Sequence, residues 1–303
     1  MEFLTQPIMD TLLLDNGEKI LVLFLAIALD LLIGEPRLHP TNLFGKLTSS
    51  FDRIYVRRNK YIDFITGSLL TLLIIGLALL ISLIPNLLPY WIGLILLIYL
   101  TKTTFGIKSL VDHVKRTATP DINEQRQQTS LIVSRDVRNL ERHELCSASI
   151  ESLSENMVDS VISPIFYFLL FGLPGALIYR AVNTMDALIG YRDDQHFYVG
   201  KFTARLDDVL NFIPSRITFL LFMPLARSLE GFKYYRLSKK INDKSIAGMS
   251  AVLGVKLEKK FSYSYPGRKA QLNDIGRSLK VFKIVTLEWL AIAFTFLTIL
   301  YLL

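Results

Sequence analysis

Residues 151–216 decide the fold prediction, and they read ESLSENMVDSVISPIFYFLLFGLPGALIYRAVNTMDALIGYRDDQHFYVGKFTARLDDVLNFIPSR. An apolar segment, 161–178, lies between two segments that are rich in Asp, Glu, Asn and Arg. Charged side chains next to a segment that is apolar enough to lie in a bilayer cost free energy. Proteins usually retain them because they serve a function. The stretch therefore predicts an active site at a membrane surface.

The composition of the whole chain also predicts a membrane protein. Of its 303 residues, 51% are hydrophobic before glycine is counted, which is more than globular domains usually contain. The formal net charge of +7 would suit a nucleic-acid partner. In a membrane protein, however, excess Lys and Arg are typical of cytoplasmic loops beside anionic lipid. We therefore expect the lipid bilayer, and no nucleic acid, as a partner.

Apolar blocks predict the membrane spans. The main spans are predicted at 20–34, 63–84, 87–102 and 282–303. Two shorter apolar arms joined by a Gly-Leu-Pro-Gly turn predict a re-entrant or short helical hairpin over 160–190, because each arm is too short to cross a bilayer. A segment interrupted by prolines, 212–229, predicts an interfacial helix. The fold prediction is an all-α, polytopic integral membrane protein of one domain, 1–303, with helical cytoplasmic loops.

The distribution of basic residues predicts the topology. Lys and Arg concentrate in 37–60, 102–142 and 233–283. The positive-inside rule places these three segments in the cytoplasm. If the hairpin turns back and 212–229 does not cross, the 180–211 loop is cytoplasmic as well; if each block crosses once, that loop faces outward. We expect a multi-pass protein of the cytoplasmic membrane with its active site on the cytoplasmic face.

Three carboxylates precede the apolar segment at intervals of four residues. Glu151, Glu155 and Asp159 occupy positions i, i+4 and i+8 of a predicted helix, so the spacing places them on one face. Asn156 lies next to them in sequence. A shared face of this kind suits a binding or catalytic site.

The segment after the hairpin is dense in arginine and aspartate. Asn183 and Asp186 are spaced i, i+3, and Asp207 and Asn211 are spaced i, i+4, so each pair shares a helix face. Oxygen ligands suit Mg²⁺, and arginine binds phosphate or carboxylate groups. The segment predicts a Mg²⁺-dependent site for an anionic substrate, or alternatively a network of salt bridges that holds membrane helices together. The arginines are Arg180, Arg192, Arg205 and Arg216, and the remaining aspartates are Asp193, Asp194 and Asp208.

Several long segments resemble a single family. Four segments of the chain, in order, read ESLSEN, ISPIFY, YRAVNTMDALIGYR and ARLDDVLNFIPSR. They resemble the signature segments of the CobD/CbiB family, the adenosylcobinamide-phosphate synthases of cobalamin (vitamin B12) biosynthesis. The early LDLLIGEP and the mid-chain SRD resemble it too. The resemblance implies a ligase that requires ATP and Mg²⁺ and forms a carbon–nitrogen bond. It would join a corrinoid, adenosylcobyric acid, to aminopropanol or aminopropanol O-phosphate.

The resemblance also implies roles for individual residues. The catalytic candidates are Glu151, Glu155, Asn156, Asp159, Asn183, Asp186 and Tyr191, of which the last three would orient the acyl group. ATP or the aminoalcohol phosphate would bind to Arg180, Arg192, Arg205, Arg216 and Asn211. Mg²⁺ would bind to Asp207 and Asp208, or else to Glu151, Glu155 and Asp159. Other membrane proteins of cobalamin assembly are candidate partners.

Two other classes of protein fit parts of the pattern. An intramembrane prenyltransferase also places aspartates on cytoplasmic loops to hold Mg²⁺-diphosphate, but it normally has two aspartate-rich motifs and more spans than this chain. A non-enzymatic membrane sensor of the AmpE-like type, or a transporter, is the other alternative. A transporter would be expected to show broken helices with polar residues in the middle of the bilayer.

Overall fold

The chain is almost entirely helical in the computed structural model, which describes residues 15–36, 39–191, 193–226, 231–238, 240–241, 243–259 and 262–303. The helices in these residues are α1 Asn16–Ile33, α2 Pro40–Ile54, α3 Lys60–Leu83, α4 Tyr90–Lys102, α5 Ile107–Arg116, α6 Ile122–Ser130, α7 Arg142–Met157, α8 Ser163–Ile189, α9 Lys201–Phe222, α10 Gly231–Leu237, α11 Asp243–Leu253 and α12 Leu272–Leu302. Two short antiparallel strands, β1 Glu258–Lys259 and β2 Tyr263–Ser264, form a hairpin.

Five of the described helical segments are long and apolar enough to cross a membrane, judged by length and composition. They are Lys60–Leu87, Tyr90–Arg116, Arg142–Ile189, Lys201–Leu225 and Leu272–Leu302. These segments confirm the prediction of an all-α, multi-pass membrane protein. α1 is not one of them, since its 18 residues include the charged side chains of Glu18, Lys19 and Asp30.

A sharp bend divides α8 at Gly172. This glycine has φ 64° and ψ −153°, a backbone conformation that favours glycine, and Pro174 follows it. The rings of Tyr167 and Tyr179 stack with their centroids 5.4 Å apart. In a straight helix, residues with this separation would lie about 18 Å apart along the axis. The chain therefore turns back at the Gly-Leu-Pro-Gly sequence, and Arg142–Ile189 is not one straight span.

α9 continues through a proline. Pro214 has no N–H group, so the carbonyl oxygen of Leu210, four residues earlier, loses its helical partner. The hydroxyl of Tyr167 donates a hydrogen bond to that oxygen at 2.9 Å. Because the freed carbonyl is satisfied, the helix runs on to Phe222, and it begins well before the interfacial segment predicted at 212–229.

The described residues group into two compact units. The first is drawn from Met1–Gly106, Ser163–Leu210 and Ala293–Leu303, and within it α2 and α3 pack against α8 while α1 packs against α4. The second is drawn from Ile107–Ile162 and Asn211–Ile292, and within it α7 packs against α5, α6 and α11. The prediction that the whole chain forms one domain stays a prediction.

Candidate functional site

A polar cluster in the first unit joins the end of α8 to α9. Arg180 donates from Nη1 to the Oδ1 of Asn183 at 3.1 Å, and Asn183 donates from Nδ2 to the Oδ1 of Asp207 at 3.3 Å. Asp207 is buried, whereas Arg180 and Asn183 are half-buried. The structure thus brings together a guanidinium, a carboxamide and a carboxylate from the predicted site.

The turn after α1 adds Glu35 to this cluster. His39 Nε2 lies 3.3 Å from Glu35 Oε1. The hydrogen bond with His39 lowers the pKa of Glu35; burial opposes it, and the positive charges of Arg180 and Lys102 act in the same direction as His39. Glu35 is therefore an anion beside Arg180. Glu35 was not among the predicted site residues, although Gly-Glu-Pro directly after an apolar block was a signal for it.

A buried ion pair supports the cluster. Lys102, at the end of α4, lies 3.2 Å from Asp30 in α1, and their side chains are 1% and 0% exposed. Buried charges in a membrane protein need a partner, because each alone would be strongly destabilising. The pair therefore fixes α4 against α1 and holds the positive charge of Lys102 near Glu35.

A cavity of about 240 Å³ lies beside the first turns of α9. Its walls include three of the predicted site residues, Tyr191, Arg205 and Asp208, together with Lys201. The full lining is Gly190, Tyr191, Phe197, Gly200, Lys201, Ala204, Arg205 and Asp208. Asp208 lines this cavity, whereas its neighbour Asp207 accepts from Asn183, since adjacent residues of a helix point about 100° apart. The structure does not bring the two aspartates to one point.

Glycines allow close packing at both ends of the 190–200 loop, which borders the cavity. A Cβ atom on Gly200 would lie 1.7 Å from the carbonyl oxygen of Ile189, and one on Gly190 would lie 2.0 Å from the Oδ1 of Asp186. Nor is there room for a side chain at Gly67 of α3, where a Cβ would lie 1.8 Å from the carbonyl oxygen of Val199. These close approaches fix both ends of the 190–200 loop.

His196 attaches the same loop to α2. Its Nε2 lies 2.9 Å from the Oδ1 of Asp52, and its Nδ1 lies 2.8 Å from the Oδ1 of Asp193. Burial lowers the pKa of His196, but the hydrogen bonds to Asp193 and Asp52 outweigh it, so the pKa of His196 is raised. A protonated imidazole donates to both carboxylates at once. The loop is thus held by a histidine whose pKa is raised above its ordinary value.

The contribution of His196 to stability is expected to depend on pH. Because its folded-state pKa is raised, the contribution is complete below the unfolded-state pKa of about 6.5 and is lost as the pH rises through the folded-state value. Asp52→Asn should therefore lower the melting temperature by about 1–3 °C at pH 5.5 and have little effect at pH 9. Differential scanning fluorimetry in detergent measures this, and a pH-independent difference would contradict it.

A second polar cluster, in the second unit, is centred on Glu151 of α7. Arg135 donates from Nη2 to its Oε2 at 2.8 Å, and the Tyr263 hydroxyl donates to the same oxygen at 2.7 Å. The hydroxyl of Ser147 donates to the other oxygen. Arg135 also donates to the carbonyl oxygen of Glu258, so the cluster joins α7 to the β-hairpin. Burial and the charge of Glu151 raise the pKa of Tyr263, which stays a neutral donor.

The other carboxylates that were predicted to share a face with Glu151 have different surroundings. Glu155 is exposed, with Lys240 and Lys259 among the charges around it. Asp159 accepts from the Nδ2 of Asn211 at 3.2 Å. Asn156 donates within its own helix, to the carbonyl oxygen of Ser152.

A π-helical segment, Val158–Ile162, follows α7 and contains Asp159. It changes the periodicity on which the prediction of one shared face depended. Of the three carboxylates, Glu151 is thus held by hydrogen bonds and Glu155 is accessible.

The remaining predicted residues lie elsewhere or outside the described residues. Arg216 donates to the carbonyl oxygen of Phe212 at 2.7 Å, and its guanidinium lies 3.5 Å from the centroid of the Phe212 ring. Asp186 is half-buried near Gly190. Arg192 lies outside the described residues. Lys102, Arg135 and Tyr263 were not predicted, because only the folded chain brings them to the clusters.

Oxygen donors in the first cluster suit a divalent cation that is shared with a substrate. Within the described residues, no group of three or more His, Cys, Asp or Glu side chains is arranged to hold a metal ion. Mg²⁺ typically takes only one or two protein carboxylates and completes its shell with water and substrate phosphates. Asp207 and Asn183 beside Arg180 fit that donor set.

Comparisons with known proteins point to one family. Residues 23–288 match the family model described as "CobD/Cbib protein". A protein of Pyrococcus furiosus named "Probable cobalamin biosynthesis protein CobD" is 55% identical over 272 residues, which are 88% of this chain and 95% of that protein. Proteins of the same name from Pyrococcus abyssi and Thermococcus kodakarensis are 52% and 50% identical, over 91% and 88% of this chain and 95% and 92% of their own lengths. No solved structure matches.

Proposed function

The chain belongs to the CobD/CbiB family of cobalamin biosynthesis proteins, and from that premise we propose that it is an ATP-dependent amide ligase. The reaction joins the free carboxylate of adenosylcobyric acid to the amine of aminopropanol or aminopropanol O-phosphate. Its product is adenosylcobinamide or adenosylcobinamide phosphate. The family also favours this interpretation over a prenyltransferase or an AmpE-like sensor.

One observation carries the proposal: three separate family-like segments meet in the first cluster. Gly-Glu-Pro contributes Glu35, the YRAVN segment contributes Arg180 and Asn183, and the RLDD segment contributes Asp207. A purely structural network pairs charges and does not require cations beside a cavity. Here Arg205 and Lys201 of the same α9 line one. Cations, a carboxylate and a small cavity in one unit support the handling of anionic substrates.

A carboxylate must be activated before an amine can displace one of its oxygen atoms, and ATP supplies that activation. Arg180 is the residue proposed to hold its phosphate groups, because guanidinium binds phosphate with charge-assisted hydrogen bonds. Asp207 is proposed to hold Mg²⁺ through its carboxylate. Glu35 is the anion on which the positive charges of Arg180 and Lys102 act.

In the second cluster the two glutamates have separable roles. Glu151 accepts hydrogen bonds from Arg135, Tyr263 and Ser147, so it positions these side chains and has little capacity left for substrate. Glu155 is exposed, and Lys259, Asp243 and Lys240 are among the charged side chains around it. Of the two, Glu155 is the carboxylate proposed to act as a proton acceptor.

A cytoplasmic location is proposed for the site. ATP is available on that side, and the positive-inside rule predicts that the basic segment 102–142 lies there. The corrinoid and the bilayer are the partners this role implies, and other membrane proteins of cobalamin assembly are candidate partners.

A reconstituted reaction tests the proposal. Detergent-purified protein is mixed with adenosylcobyric acid, ATP and Mg²⁺, and with either aminopropanol or aminopropanol O-phosphate. We expect ADP release that requires both the corrinoid and the amine, and a product whose mass equals that of the two joined substrates less water. Mass spectrometry and a coupled ADP assay measure these results. No product with either amine would reject the ligase proposal.

A further inference from the structure

The cavity beside α9 is small and carries charges of both signs. Its volume of about 240 Å³ is below the roughly 300–1,000 Å³ of pockets for drug-sized ligands. A nucleotide or a corrinoid is therefore too large to be enclosed in it. A ligand smaller than a drug-sized molecule is the size that fits.

Two cations lie on one side of the cavity. Lys201 and Arg205 are spaced i, i+4 on α9 and so share a helix face. Both side chains are exposed, and within the described parts of the chain neither forms an ion pair. An ammonium and a guanidinium that converge on a cavity provide several hydrogen-bond donors, a combination typical of phosphate binding.

A carboxylate and an aromatic wall complete the cavity. Asp208 follows Arg205 by three residues, so it lies on a neighbouring part of the same helix surface, and it is half-buried. Tyr191 and Phe197, from the 190–200 loop, provide the apolar surface. The cavity therefore offers two cations, one carboxylate and an apolar wall.

We propose that this cavity is the subsite for the amine substrate, with Lys201 and Arg205 holding its phosphate and Asp208 holding its ammonium group. The assignment rests on the proposed ligase function, which requires an amine substrate, and it adds the residues that select the phosphorylated form. A ligand with a phosphate at one end, an ammonium at the other and a short carbon chain between them matches the three surfaces. Free aminopropanol would leave both cations without an anion.

Direct binding tests the subsite without the reaction. Isothermal titration calorimetry of the purified full-length protein, without ATP or corrinoid, compares aminopropanol O-phosphate, aminopropanol and inorganic phosphate. We expect the phosphorylated amine to bind at least tenfold more tightly than either of the other two. Arg205→Gln and Lys201→Gln should each weaken its binding about 10- to 100-fold and change the binding of free aminopropanol less than threefold.

The variant of the carboxylate has a different expected pattern. Asp208→Asn should weaken the binding of both amines about tenfold or more and leave inorganic phosphate unchanged or slightly tighter. Lys46→Gln, which removes an exposed lysine from α2, is the matched control and should bind all three ligands like the parent protein. Arg205→Lys should recover part of the affinity, which separates loss of charge from local damage.

The outcomes separate the subsite from the reaction. If the two amines bind equally and Arg205→Gln changes neither, the subsite is wrong even when the ligase assay yields product. If the binding pattern holds but no product forms, the ligase proposal fails and the subsite stands as a binding site for a phosphorylated amine.

Discussion

Asp207→Asn is expected to lower turnover about 100-fold while the protein stays folded. Asparagine keeps the Oδ1 that accepts from Asn183, so the link between α8 and α9 persists. It loses the negative charge that we propose to hold Mg²⁺. Steady-state ADP release at a series of Mg²⁺ concentrations measures the effect, and the variant should also need more Mg²⁺ to reach half of its maximal rate.

Two further variants make this result specific. Asp194→Asn removes an exposed aspartate from the nearby 190–200 loop and should turn over normally. Arg205→Ala should lower kcat/KM for the phosphorylated amine. Near-normal turnover and an unchanged Mg²⁺ requirement in Asp207→Asn would remove the metal assignment, and near-normal kcat/KM in Arg205→Ala would remove the phosphate assignment of Arg205.

The fold was largely predictable because the bilayer restricts what a chain can do in it. Long apolar runs must become helices, since lipid offers no partners for open backbone groups, and α3 and α12 follow directly from that requirement. The bend at Gly172 was predictable from Gly-Leu-Pro-Gly between two short arms. The extent of α9 was not, because its continuation depends on a hydrogen bond from Tyr167 to the carbonyl that Pro214 leaves free.

The segments that form the site could be identified from sequence, but the pairs of side chains that meet could not. Asn183 was predicted to share a face with Asp186, and in the structure it donates to Asp207 of another helix. Asn211 was predicted to share a face with Asp207, and in the structure it donates to Asp159. Helical spacing predicts which residues share a face; contacts between helices decide which of them interact.

Contacts between residues far apart in sequence account for the rest of what was missed. Tyr263 meets Glu151 from 112 residues away, and His196 meets Asp52 from 144 residues away. Neither contact produces a periodic pattern within a single segment of the sequence, so neither could be predicted from periodicity. The π-helical segment was missed for a different reason: an extra residue per turn has no simple sequence signature, yet it alters the relation of Asp159 to the helix before it.

Arg135→Ala is expected to destabilise the protein more than any other change in the second cluster. It leaves the buried Glu151 carboxylate without its cationic partner, and breaking a buried ion pair from one side costs about 3–5 kcal/mol. The hydroxyls of Tyr263 and Ser147 remain as donors, and uptake of a proton by Glu151 limits the loss. The melting temperature in detergent should fall by about 10 °C.

A double-mutant cycle separates the ion pair from its parts. Glu151→Gln alone should cost less than Arg135→Ala, because the Arg135 side chain is 22% exposed and its charge reaches water, whereas Glu151 is 5% exposed. The double variant, Arg135→Ala with Glu151→Gln, buries no unpaired charge and should therefore be more stable than Arg135→Ala by about 1–3 kcal/mol. If the double variant is instead destabilised by the sum of the two single-variant destabilisations, the two side chains are not energetically coupled. The hairpin would then be held by the contacts of Tyr263, and Glu151 would have no role in positioning Arg135.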